Sequence, residues 1–319
     1  MRLRQRRTFF FLAAILLGWP VTSQAEGTQR LYLGTPTRSV SWFPLFVAMK
    51  KGFFQEQGLF SEPVLMDPRV AVTALAAKEI PYITVLGSGI SGAARGLSIK
   101  LIMVLGAKSH RVLVASSKIT SVSELRGRTV ATGQIGADPH QDLLLVLRRH
   151  GIDPKEVKVL PVGSDMNRLI ALKTNRAQAM ITGVPYDLLV EKDGFKQLVY
   201  VKDVMELPIM GLATHDDWIR ERPQEVKKIL TAILRGIAFT KANREEVLPL
   251  LKEFVGLEDL EMAGKAFDTV KDIWPVNGMP SDEGLRNVFA RAGLSPSMPV
   301  EKIVNWSLLI EAEKLLSRR

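Results

Sequence analysis

From Gln29 onward, apolar runs of strand length alternate with stretches of helical period, and this alternation most limits the folds open to the chain. Strand, helix and strand in succession build parallel sheets from βαβ units. Gln29 to Leu33 reads as a strand, Gly34 to Phe43 as a loop, and Pro44 opens a helix that continues to Gly52. Further strands are expected at Pro63 to Met66, Tyr82 to Leu86, Leu101 to Leu105, Val112 to Ser116, Thr129 to Thr132, Val157 to Val162, Ala179 to Ile181 and Leu198 to Val201. Beyond Pro223 the period changes. Val226, Ile229, Leu230, Ile233, Leu234 and Ile237 recur at helical spacing behind a proline suited to a first turn, so the C-terminal region is expected to be helical.

The N-terminus has a different composition. Arg2, Arg4, Arg6 and Arg7 precede the apolar run Phe9 to Leu17, then Gly18-Trp19-Pro20, and Ser23-Gln24-Ala25 puts small residues at the −3 and −1 positions of a cleavage site. That order is a secretory signal peptide, with a run too short to span a bilayer of about 30 Å. Residues 1–25 are therefore expected to be removed. Export by the general secretory route is expected, or by the twin-arginine route that Arg6-Arg7-Thr8-Phe9-Phe10 resembles. A chain of this length exceeds what one core usually organises, so two lobes are expected. No internal repeat or long linker separates them. The lobes are expected at 26–112 with 214–319 and at 113–213, joined by crossing strands near Val112 to Ser116 and Ile209 to Thr214.

Composition excludes several functions. There is no cysteine, hence no disulfide, thiolate metal site, cysteine nucleophile or lipidated anchor. The net charge of +10 falls by the leader's four arginines to +6, and no basic run interleaved with aromatics suggests nucleic acid. His110, His140, His150 and His215 form no metal pair at helical spacing, and Ser88 and Ser91 do not fit a nucleophile elbow. Gly87-Ser88-Gly89-Ile90-Ser91-Gly92 satisfies G-x-G-x-x-G, but no Asp or Glu occurs between Ile80 and Ser123 to hold a ribose. No cofactor and no catalytic or metal site is expected.

In open α/β sheets, ligands bind beyond the carboxyl ends of the strands. Four loops qualify: Thr37 to Phe43 with Arg38, Ser39, Ser41, Trp42 and Phe43; Gly87, Ser88 and Gly89; Thr132 to His140 with Thr132, Gly133, Gly136 and His140; and Gly183 with Val184, followed past Pro185 by Asp187. Their N–H groups and helix N-termini suit a sulfonate, carboxylate or other polar head. Asp138-Pro139 is expected to form a cap and first turn. The same residues have structural alternatives: serines cap helices, glycines make turns, Arg38 solvates a loop, and Trp42 and Phe43 pack in a core.

Pro44 to Leu59, PLFVAMKKGFFQEQGL, resembles the opening signature of the nitrate, sulfonate, taurine and thiamine-precursor binding proteins. Val72 to Tyr82, Ser121 to Gly133 and Leu169 to Pro185 resemble later blocks of that family in order, although Asn175 and Gln178 stand where the family has glycine and aspartate. The resemblance implies a type II periplasmic binding-protein fold: two α/β lobes, each a mostly parallel sheet flanked by helices, closing on a small-molecule ligand. It also implies a periplasmic monomer that delivers ligand to an inner-membrane ABC permease with a cytoplasmic ATPase. Presentation of the ligand state to a membrane receptor is the alternative, and an enzyme on the same fold is a third. Cysteine-dependent synthases among the thiamine-precursor relatives are disfavoured by composition. Expression in a Gram-negative host should yield soluble periplasmic protein whose intact mass begins close to Glu26. Membrane-bound protein retaining Met1 would contradict the signal-peptide reading.

Overall fold

Parallel strands need cover on both faces. The chain provides that cover twice in a computed structural model that describes residues 29–36 and 38–317; the expected leader lies outside the described residues. The first sheet begins with β1 (Gln29–Thr35), α1 (Phe43–Lys50), β2 (Leu59–Leu65), α2 (Pro68–Ala76), β3 (Tyr82–Ile83), α3 (Gly87–Ala94) and β4 (Ile99–Gly106). The chain then crosses to β5 (Val112–Ala115), β6 (Thr129–Thr132), α4 (Asp138–Arg149), β7 (Lys158–Pro161), α5 (Asp165–Lys173), β8 (Ala179–Thr182), α6 (Tyr186–Lys192), β9 (Lys196–Tyr200) and α7 (Val201–Val204). It returns through β10 (Met210–His215) to α8 (Asp216–Glu221), α9 (Pro223–Ala242), α10 (Arg244–Val255), α11 (Leu260–Val270), α12 (Asp282–Arg291) and α13 (Ser307–Leu316).

The sheets have orders β2-β1-β3-β10-β4 and β7-β6-β8-β5-β9. β10 is antiparallel to β3 and β4, and β5 is antiparallel to β8 and β9, while the other strands of each sheet run one way. Each sheet is thus mostly parallel with one reversed strand. We propose lobe boundaries at the connections 107–111 and 205–209, since β5 already pairs in the second sheet and β10 in the first.

Local differences from the sequence reading have physical causes. β2 starts at Leu59, opposite Gln29, and passes through Pro63. It has one neighbour only, so a missing N–H on its open side breaks no ladder. β3 keeps two residues, because Leu86 already stands at the N-cap of α3. The N-cap of α4 is Ala137, with no side-chain cap bond; Asp138 is the first helical residue and its carboxylate pairs with Arg291 instead. The helical C-terminal region packs largely on the first lobe. All six periodic apolar residues of α9 are buried. Gly236 allows α9 to lie against α1, since a Cβ there would fall 2.3 Å from the Pro44 carbonyl oxygen.

Two flanks join the lobes. On one, the fully buried carboxylate of Asp142 on α4 accepts from Arg111 at 2.8 Å, from Ser109 at 3.1 Å and, across the lobes, from Arg291 on α12 at 2.6 Å. Arg291 also reaches the Asp138 carboxylate at 3.0 Å. Burial alone would raise the Asp142 pKa, but the two guanidiniums hold it below the usual carboxylate range. On the other flank, Leu188 of α6 enters the first lobe's core, and Lys202 donates to Thr269 O at 2.8 Å and Asp272 at 2.9 Å. Without Arg291 the carboxylate keeps Arg111, but its other oxygen is left buried with no donor, so Arg291→Met should lower the unfolding free energy in urea by roughly 2 kcal/mol. The same change at exposed Arg286 should move it by less than about 0.5 kcal/mol.

Candidate functional site

The carboxyl ends of the parallel strands of both sheets face a cleft of about 750 Å³. Arg38 and Ser39 after β1, and Glu253 to Gly256 at the end of α10, form the first lobe's wall. The second lobe supplies Gly163 to Asp165 after β7, Arg168 of α5, Gly183 to Tyr186 after β8, and Pro139. His110 and Arg111, in the connection between the lobes, also line it.

The charges on the second lobe's wall are already committed. Arg168, almost fully buried, pairs with Asp165 and donates to Gly163 O, and Asp165 Oδ1 accepts from Thr182 Oγ1 at 2.7 Å. Arg111 is held by Asp142. His110 Nδ1 lies 3.4 Å from Ser41 Oγ. Burial, reinforced by Arg111, pushes its pKa down to about 3, so the imidazole is neutral and offers a hydrogen bond, not a charge. Gly183 is required here because a Cβ would fall 2.6 Å from the His110 ring. Arg38 differs from the other two arginines of the cleft: it is exposed, with no carboxylate partner among the described residues.

The four expected loops are thereby divided. Arg38 and Ser39 line the cleft, although Ser39 Oγ also accepts from Ser41 N at 3.3 Å as a local cap. Ser41 lies buried beside His110. Trp42 and Phe43 are core residues, 3% and 0% exposed, and both rings meet Phe254 at centroid distances of 4.9 and 5.6 Å. Trp274 completes this cluster by donating its indole N–H to Val40 O at 2.8 Å. Gly183 and Val184 line the cleft. Gly87, Ser88 and Gly136 line a smaller crevice of about 260 Å³ with Arg291, while Gly89 is buried in α3. Thr132 is buried with its hydroxyl unpartnered, Gly133 packs on the Pro139 ring, and His140 accepts from Gly136 N at 3.1 Å. Partial burial lowers the His140 pKa.

Asp187 is fully buried on α6, and its carboxylate lacks a hydrogen bond of good geometry. Burial raises its pKa to about 6, opposed only in part by nearby backbone N–H groups. His110, Arg111, Asp165, Arg168 and Phe254 to Gly256 were not expected from sequence. Only Ser164, a capping serine that accepts from Asn167 N, carried a local signal at the end of β7.

A cleft of this kind, between two like-ordered α/β sheets joined by two connections, defines a two-lobed periplasmic-binding-protein fold. The periplasmic sulfonate-binding protein SsuA from Methylobacillus flagellatus superposes with a TM-score of 0.72 at 16% identity, over 91% of this chain and 96% of that one. The desulfurization enzyme DszB superposes with a TM-score of 0.67 at 12% identity, over 91% of this chain and all of that one. In sequence, the riboflavin-binding protein RibY from Chloroflexus aurantiacus is 25% identical over 259 residues, covering 77% of this chain and 73% of RibY. Residues 40–247 match the NMT1/THI5-like family, and the chain belongs to that family.

The aromatic cluster sets the prediction for Trp42. Trp42→Ala should lower stability by roughly 3–5 kcal/mol, read by urea unfolding, while affinity per folded molecule changes little. A variant of normal stability with specifically lost affinity would move Trp42 into the binding surface.

Proposed function

We propose that the chain is the periplasmic solute-binding component of an ABC importer, capturing a small ligand between its lobes without making or breaking a bond. The observation that carries the reading is the interlobe cleft, whose second-lobe charges are internally paired while Arg38 is uncommitted on the opposite wall. A ligand with one anionic or strongly polar head meets Arg38 and neutral donors and acceptors at His110, Ser39 and the backbone of Gly163 to Asp165. Contacts to both walls favour the closed form, and a permease that recognises that form receives loaded protein selectively. Family membership supports this role, as does the likeness to binding proteins named for sulfonates and riboflavin.

The test is a thermal-shift screen of the purified protein against sulfonates, nitrate, carboxylates, pyrimidine precursors and flavins. A ligand present at 100 times its dissociation constant adds about 2.7 kcal/mol. The hit should bind one per chain, be recovered chemically unchanged, reduce the radius of gyration by small-angle scattering and lose affinity in Arg38→Gln. A converted ligand would favour an enzyme on this fold, which DszB exemplifies. An unchanged radius at saturation would count against lobe closure.

A further inference from the structure

The edge of the second sheet that points away from the cleft has a charge pattern unrelated to ligand binding. Across the spatial order β7-β6-β8-β5-β9, every strand carries one exposed cation at this edge. Lys158 begins β7, Arg128 precedes β6, Arg176 precedes β8, Lys118 follows the reversed β5, and Lys196 begins β9. The register holds them at the same end of the sheet: Lys158 pairs with Thr129, Gln178 N donates to Thr129 O, and Lys196 pairs with Ala115, three residues before Lys118. With strands about 4.8 Å apart the row spans roughly 19 Å. That is little more than two screening lengths of about 8 Å at physiological salt.

None of the five has a carboxylate partner among the described residues. Of the acids at this edge, Glu156 pairs with Arg126 and Asp193 with Lys173, while Asp153 caps a turn and Glu124 accepts from Thr120 and Ser121, so the five cations outnumber the acids left without a cation. α4 ends here too, with Arg148 and Arg149 in its last turn. An open crevice of about 590 Å³, lined in part by Lys118 and Arg128, lies within the row. At the equivalent edge of the first sheet most cations are paired. There Lys78 and Arg220 pair with Asp217, and Arg222 with Glu225.

We infer that this edge of the second lobe is an electrostatic docking surface for a bilayer bearing anionic phospholipid headgroups. A row of unpaired cations along one sheet edge suits a diffuse anionic plane. A specific protein partner would need buried aromatic or apolar anchors, which the row lacks. Adsorption would hold an exported carrier at the membrane with its cleft directed away from the lipid. The inference draws only its setting from the exported-carrier reading, and vesicle binding without ligand tests it separately from the cleft.

The experiment is co-sedimentation of the purified protein with phosphatidylcholine vesicles, with and without phosphatidylglycerol, at low and at physiological salt. Binding should require phosphatidylglycerol, weaken with salt, and fall roughly a hundredfold in Lys118→Gln/Arg128→Gln/Lys158→Gln, at about fivefold per charge. The matched triple Arg95→Gln/Arg286→Gln/Lys302→Gln, on exposed residues elsewhere, should bind as the parent does, and both triples should keep the parent's melting midpoint. Equal losses in both triples would reduce the effect to net charge and overturn the inference. So would an absence of phosphatidylglycerol-dependent binding. If vesicles are ignored while the first triple slows import in cells, the row faces an acidic protein and the lipid assignment fails.

Discussion

A chain that builds one sheet, leaves to build a second and then returns must enter each sheet against the direction of its neighbours. β5 and β10 are those reversed strands, and each sits fourth in its sheet's order. Much of the arrangement follows. The carboxyl ends of both sets of parallel strands face each other, so the loops that follow them meet in one cleft. The two crossings, at 107–111 and 205–209, are the covalent links between sheets, and His110 and Arg111 lie in the first. A residue in a crossing belongs to neither sheet. This is how His110 touches both Ser41 of the first lobe and Gly183 of the second.

The electrostatics of the cleft follow from burial. A guanidinium removed from water needs a carboxylate partner. Arg168 and Arg111 have theirs in Asp165 and Asp142, and His110 loses its charge by desolvation. What remains is a wall of fixed dipoles opposite one uncommitted cation, Arg38, with the neighbouring Glu253 carboxylate paired to Lys50. Such a site discriminates by hydrogen-bond geometry on one side and by charge on the other, and a ligand with two acidic heads would find no second free cation among the described lining residues.

Much of the fold was legible because its signals are local. Thr129 to Thr132 reads as a strand and is one, and the α9 stripe behind Pro223 is buried as its period requires. Strand ends also located cleft loops: Arg38, Ser39, Gly183 and Val184 are there. The remainder depends on distance in sequence. Phe254 arrives from α10, some two hundred residues after β1, and its ring draws Trp42 and Phe43 inward, away from the cleft. Arg291 arrives from α12 to take Asp138, so a residue suited by type to cap α4 serves a cross-lobe pair instead. No periodicity encodes such pairings.

The two flanks that join the lobes differ in how readily they yield. Lys202 and Asp272 meet with the carboxylate nearly half exposed, so water can replace the pair at little cost when the lobes part. The Asp142 carboxylate has no access to water, and separating it from Arg291 would expose a desolvated charge to an incomplete shell. Opening should therefore pivot near α4 and α12 and lengthen first across α6 and α11. That motion would carry Tyr186 and Arg168 away from Glu253 and Phe254, widening the cleft at its mouth, and would move Arg111 and His110 in the crossing least. A ligand can favour closure only through contacts that opening removes. Groups at the mouth, with Arg38 on the first lobe and the backbone of Gly183 to Tyr186 on the second, thus have more leverage over closure than His110 and Arg111, which lie in the crossing about which the lobes would turn.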